Sequence, residues 1–212
     1  VVVDHVFICT DFGAPEAERL VAFGLLEGPP NSHPGQGTAN RRFFFRSTML
    51  ELLWVSDPAE ARGPLAERTR LWERWSRRRD GACPFGLIVR PADNSAGAPV
   101  PFAAWEYEPS YLPPPLVMHI ASEAALAEPM WVYMSFLERP SREIAHAAGL
   151  REITSVRLTS PAAGLHVTQA MASAGVIGLI SGTEHRMELE FDGGTQGAGA
   201  DFRPHLPLVF RW

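Results

Sequence analysis

Two polar residues stand on otherwise apolar strand faces. Period-two alternation in VVVDHVFIC puts His5 with Val3, Phe7 and Cys9, and in MLELLWV it puts Glu51 with Met49, Leu53 and Val55. An unpartnered carboxylate out of water costs several kcal/mol, so Glu51 requires a hydrogen-bonding, charged or metallic neighbour. Imidazole and carboxylate facing each other across a sheet form a donor set for Fe, Mn, Zn or Ni. The alternative is a core histidine bonded to backbone and a glutamate paired with one of many arginines. A third carboxylate, Glu190, aligns as Leu189-Glu190-Phe191 with Leu50-Glu51-Leu52. Its own face, Arg186, Glu188, Glu190 and Asp192, alternates with Met187, Leu189 and Phe191 as a solvent-facing edge does.

Other residues are candidates for holding a small molecule. In the loop His33-Pro34-Gly35-Gln36-Gly37-Thr38-Ala39-Asn40, GxG glycines permit positive φ and close backbone approach. His33, Thr38 and Asn40 supply donors and acceptors there, and Arg41 and Arg42 follow directly as anion-holding groups. The loop precedes a strand and does not open a helix, so it is not a dinucleotide fingerprint, and its other reading is a long turn. His119 lies inside the apolar run Leu116 to Ala121, flanked by segments carrying Trp105, Tyr107, Trp131 and Tyr133, which can wall a ligand pocket or simply be core. No GxSxG elbow, HExxH, paired CxxC or EF-hand loop is present.

The elements that must position these residues read as β-α-β-β-α-β over the first ninety positions. Strands are expected at 1–10, 41–46, 49–56 and 83–90, with helices at 15–24 and 64–79. The proline-rich stretch 91–140 reads as an irregular β-insert with short strands near 102–107, 116–121 and 130–136. From 141 the pattern returns: a short helix ending near Gly149, a strand at 152–159, a helix at 165–174, and strands at 176–180, 186–191 and 206–212. The class is α+β, one domain over 1–212, with a first module of about 1–90, the insert, and a degenerate second module of about 141–212. Two curved sheets would then face each other around a shared cleft.

Composition narrows the chemistry. The chain has 212 residues, 46% hydrophobic and 20% charged, and all 19 of its Lys+Arg residues are arginine. Schiff-base chemistry and the phosphate-binding P-loop both need lysine and are excluded. A net charge of -5 argues against nucleic-acid binding. The cluster Arg77, Arg78, Arg79 reads as a helix C-terminus complementing its dipole. Two cysteines outside any CxxC spacing and no apolar run long enough to span a bilayer suit a reduced, cytoplasmic setting without membrane contact.

DHVFICTDF, HPGQGTANRRFFF and MLELLWVSDP together resemble the opening of glyoxalase-like proteins of the vicinal oxygen chelate superfamily over residues 1 to 58. ITSVRLTSP and MELEF resemble a degenerate second module, and WEYEPSYLPPPLVMHIAS with EPMWVYMSF is similar to one bacterial branch. The resemblance implies paired βαβββ modules with a cleft between them. In metal-using members the ligands come from the first and last strand of each module, which by position marks His5, Glu51 and Glu190, while Ser155 departs from the pattern. It implies either a metal-dependent lyase, isomerase or dioxygenase acting on a small oxygen-bearing molecule, or a metal-free binding or resistance protein without catalysis. A divalent metal is the one cofactor implied, with no nucleotide. The expected partners are a small-molecule ligand and a second copy in a homodimer.

Overall fold

The computed structural model describes residues 1–93, 98–161 and 165–212. The class is α+β, built mostly of strands in two mixed sheets. In the first half, β1 (Val2–Cys9), α1 (Ala17–Phe23), β2 (Asn31–His33), β3 (Thr38–Phe44) and β4 (Met49–Val55) are followed by two short helices, α2 (Pro58–Ala61) and α3 (Leu71–Ser76), and then β5 (Phe85–Arg90). Next come β6 (Ala104–Tyr107), β7 (Met118–Ala121) and β8 (Met130–Tyr133). The last third supplies β9 (Ile153–Ser160), α4 (His166–Ser173), β10 (Gly178–Ser181), β11 (Arg186–Phe191), β12 (Gly199–Asp201) and β13 (Leu208–Arg211).

The eight-stranded sheet has the order β2-β3-β4-β1-β5-β8-β7-β6. Its halves repeat one plan. β1 runs parallel to β4 and β5 parallel to β8, each followed by antiparallel neighbours, and the halves join through the antiparallel pair β1 and β5. The proline-rich stretch read as an insert therefore supplies β6 to β8 of this sheet, and its short proline-bounded strands suit a half that carries an edge. Residues 153–211 form a separate five-stranded sheet, β10-β9-β11-β13-β12. Here too the central pair, β9 and β11, is antiparallel, with a parallel strand on each side.

One face of the large sheet packs on the small one. Val6, Ile8, Leu50, Leu52, Leu87 and Trp131 meet Val156, Leu158, Leu189, Phe191, Leu208 and Phe210 in one buried cluster. Burial of this kind is worth about 25 cal/mol per Å2 of apolar surface and is the main force holding the layers together. The opposite face of the large sheet carries a second cluster, including Phe7, Leu53, Ile88, Ile120, Met130 and Val132, covered by Leu71 of α3 and by Tyr111 and Leu112. Beyond β6, Ser110 Oγ donates to the Pro34 carbonyl (2.7 Å) and Tyr111 OH to Gln36 Oε1 (3.0 Å). Since β2 and β6 are the two edges, these bonds bridge one edge to the other, so the sheet curls around its second cluster.

Two expected helices differ. The run 64–79 is broken, because Arg70 adopts φ 57° between a 3-10 turn at Glu67–Thr69 and α3. No helix forms before Gly149. That stretch is extended and turn, tied by Arg142 N to the Arg46 carbonyl and Ala148 N to the Gly24 carbonyl. No helix among the described residues is long and apolar enough to cross a membrane.

Candidate functional site

Side chains of paired residues share a face, so the strand registers draw the inner surface of the curled sheet row by row. One row runs Phe44, Met49, His5, Ile88, Val132. The next runs Arg42, Glu51, Phe7, Gly86, Met130. Beyond Glu51 stand Leu53 and Asn40, and then Val55, Thr38 and His33. The half built from β1 to β4 is polar and the half built from β5 to β8 is apolar.

His5 is fixed by residues that alternation alone does not bring to it. The β1 to β5 register shifts between Val3 and His5, a bulge that turns Asp4 toward its neighbour. Asp4 Oδ1 lies 2.7 Å from His5 Nδ1, and Arg90, only 2% exposed, donates from Nε to Asp4 Oδ2 at 3.0 Å. Nδ1–H therefore points to Asp4 and Nε2 is left for another partner. Burial pushes the His5 imidazole down, but the Asp4 hydrogen bond and the charges of Glu51 and Asp4 outweigh it against Arg142, and the net shift is upward. His5 is thus biased toward imidazolium.

Glu51 is 7% exposed and has no hydrogen-bond or ion-pair partner among the described residues. Asn40, fully buried, has neither Oδ1 nor Nδ2 partnered. The two orphaned Asn40 atoms cost free energy unless something polar joins them. The adjoining loop is tightly bonded. His33 Nδ1 meets Thr38 Oγ1 at 2.8 Å, Asn31 Nδ2 meets His33 Nε2 at 3.2 Å, and Gln36 Nε2 donates to Thr38 Oγ1 at 2.7 Å. Tyr111 lies 4.9 Å from the His33 ring. Burial, with help from Arg42 and His5 and against Glu51, holds His33 below its usual value and so neutral. Burial also raises the Tyr111 hydroxyl, which stays protonated as the donor to Gln36.

Of the expected site residues, His5, Glu51, His33, Thr38 and Asn40 share this face. Arg41 does not. It points the other way and is held by Glu27 through Nε (2.7 Å) and Nη2, with Glu18 at 2.7 Å. His119 pairs with Tyr133, on the face opposite Met118 and Ile120, because β7 alternates and its two apolar members turn inward. Glu190 lies in the other sheet, opposite Ser155. Asp4, Arg90, Gln36, Tyr111 and Arg142 were not expected. The DH adjacency is the one sequence signal for them, and alternation argues against its use.

A metal would need further donors from β5 and β8. The positions in register with His5 and with Phe7 beside Glu51 are Ile88, Val132, Gly86 and Met130, none of which offers nitrogen or oxygen. Among the described residues no three His, Cys, Asp or Glu side chains group to hold a metal. The residues present do not fit a complete first-row metal site.

The apolar half is shaped by one close approach. A Cβ on Gly86 would sit 1.9 Å from Phe7 Cε1, so the glycine lets the Phe7 ring lie across β5 beside Glu51. Gly86→Ala is expected to destabilise by roughly 1 to 3 kcal/mol, as overpacking does. In a double-mutant cycle with Phe7→Leu, urea denaturation should show most of that cost relieved. An additive pair would mean that Phe7 is not the obstruction.

No family model matches this chain, and no curated protein matches it. A solved structure described as a hypothetical protein from Staphylococcus aureus is similar in fold, with a TM-score of 0.50 at 10% identity, over 99% of this chain and 97% of that one.

Proposed function

We propose that this protein is a glyoxalase-like protein of the vicinal oxygen chelate type that binds a small oxygen-bearing molecule on the inner face of its large sheet without a metal. The observation that carries the reading is the Glu51 side chain, 7% exposed and without a hydrogen bond or ion pair among the described residues, on the same face as a His5 imidazole whose Nε2 is left free by Asp4. His5 Nε2–H donates to an oxygen of the ligand, Glu51 accepts from a hydroxyl or other donor, and Asn40 offers one donor and one acceptor. The apolar side, Ile88, Met130 and Val132, receives the rest of the molecule. Support for the family comes from the repeated strand order: β1 and β4, then β5 and β8, stand where the first and last strands of two modules would, which puts the second module at β5 to β8 and not at 141–212, although no helix follows β5 among the described residues of that half. A metal-dependent lyase, isomerase or dioxygenase is the less supported reading, since half the donor positions are aliphatic, glycine or methionine.

Metal analysis of protein purified without chelators, together with ligand-observed NMR of a mixture of small hydroxy- and oxo-compounds with and without EDTA, tests the reading. The expected result is less than about 0.1 metal ion per chain and binding indifferent to EDTA, lost in His5→Ala and Glu51→Gln. Stoichiometric metal that disappears from the double variant overturns the metal-free reading.

A further inference from the structure

The same inner face carries two guanidinium groups without a carboxylate. Arg42 and Arg142 both lie on the Phe44 ring, at 5.1 and 4.9 Å from its centroid. Arg42 donates from Nε and Nη2 only to the Pro29 carbonyl, at 3.0 and 2.9 Å. Neither residue has an ion pair among the described residues, whereas Arg41, Arg78 and Arg90 are each ion-paired. Register places Arg42 beside Glu51, and Phe44 in the row of His5. The electrostatic couplings agree with that placement, since His5 is influenced by Arg142 and His33 by Arg42.

We propose that the ligand of this site is an organic carboxylate with a compact apolar body, its carboxylate received by Arg42 and Arg142 at the Phe44 end. This rests on the small-molecule reading above and adds the ligand's charge to it. The charges decide the sign. Asp4 is ion-paired with Arg90, and the formal charges of Glu51 and of Arg42 opposite it cancel without an ion pair between them, so Arg142 leaves the region one positive charge in excess. Guanidinium groups bind carboxylate oxygens in a planar, two-point manner and retain their charge when partly buried. Glu51 repels a second anion, which orients the ligand: carboxylate at the Phe44 and His5 row, hydrogen-bond donor at the Glu51 row. Opposite them, Ile88, Ile120, Met130 and Val132 form an apolar wall suited to an aryl or branched aliphatic body.

Benzoate and benzamide are a matched probe pair, alike in shape and different in charge. With histidine imidazoles followed by NMR, benzoate is expected to shift His5 and to bind at least about ten-fold more tightly than benzamide. Arg42→Gln and Arg142→Gln should each remove most of that preference by weakening benzoate far more than benzamide, with histidine spectra that still show a folded protein. Equal binding of the two probes, or a benzoate preference that survives both substitutions, overturns the carboxylate inference and leaves the small-molecule site standing. If neither probe perturbs His5 or His33 at about 10 mM, a level at which even weak fragments register, the inference and the site reading both fail.

Discussion

Gly37→Ala is expected to lower stability by roughly 3 kcal/mol and to abolish binding of the proposed ligand. Two costs combine. Gly37 has φ +70°, where an alanine is disfavoured by about 1 kcal/mol. Its added Cβ would also meet backbone, 2.3 Å from the Asp57 carbonyl oxygen and 2.6 Å from Ala61 N, and no rotamer change relieves that. The Gly37 carbonyl meanwhile accepts from Ser56 N (2.9 Å) and Asp57 N (3.1 Å), pinning the His33 to Thr38 loop to the start of α2. Pushing Gly37 away disturbs Gln36 and Thr38, and with them His33. Gly13→Ala is the control, since Gly13 has φ +78° and nothing within 4 Å of its Cβ position. Urea denaturation should give about 1 kcal/mol for Gly13→Ala and clearly more for Gly37→Ala, with His33 resonances moved only in the latter. Equal costs for the two would show that the loop's contact with α2 contributes nothing.

How much of this was readable in the sequence depends on the range of the physics involved. Alternation is local, so β1, β4, β9 and β11 and the shared character of the His5 and Glu51 faces could be read directly. Strand partnership is not local. VMHIA is apolar on both faces, and only its pairing with β8 decides that Met118 and Ile120 turn in and His119 turns away. Arg41 and Arg42 look equivalent in the chain, yet one pleat separates an arginine consumed by Glu27 from one left beside Glu51. The Asp4 contact needed a bulge, an exception to the rule that found His5. Arg142 and Tyr111 arrive from segments with no regular structure, where no periodicity exists to read. The broken helix at 64–79 followed from over-extending a pattern, since a left-handed residue such as Arg70 leaves no mark in apolar spacing.

Mild acid should destabilise the protein before its carboxylates begin to titrate. His33, His146 and His185 are all held below the usual imidazole value, in each case first by burial, and His185 is brought down to about 4 with Arg74 adding to the effect. His146 shows why protonation is resisted. Its Nε2 meets the Phe44 carbonyl at 3.0 Å while Nδ1 accepts from Leu26 N at 2.9 Å, and a proton on Nδ1 would break the second bond. Below about pH 6.5 the unfolded chain takes up these protons and the folded one does not, so ΔG of unfolding falls with pH. For His185 the loss is complete near pH 4, and after its partial exposure is discounted it amounts to roughly 1 to 2 kcal/mol. His5 has the opposite sign, because its folded value is raised; its contribution is present in acid and fades as pH rises through that value. Urea denaturation between about pH 7 and pH 5 should therefore show declining stability, with a shallower slope in His185→Gln and in His146→Gln and a steeper one in His5→Gln. A flat profile, or a slope that none of the three replacements changes, would mean that the buried imidazoles are not what couples this fold to pH.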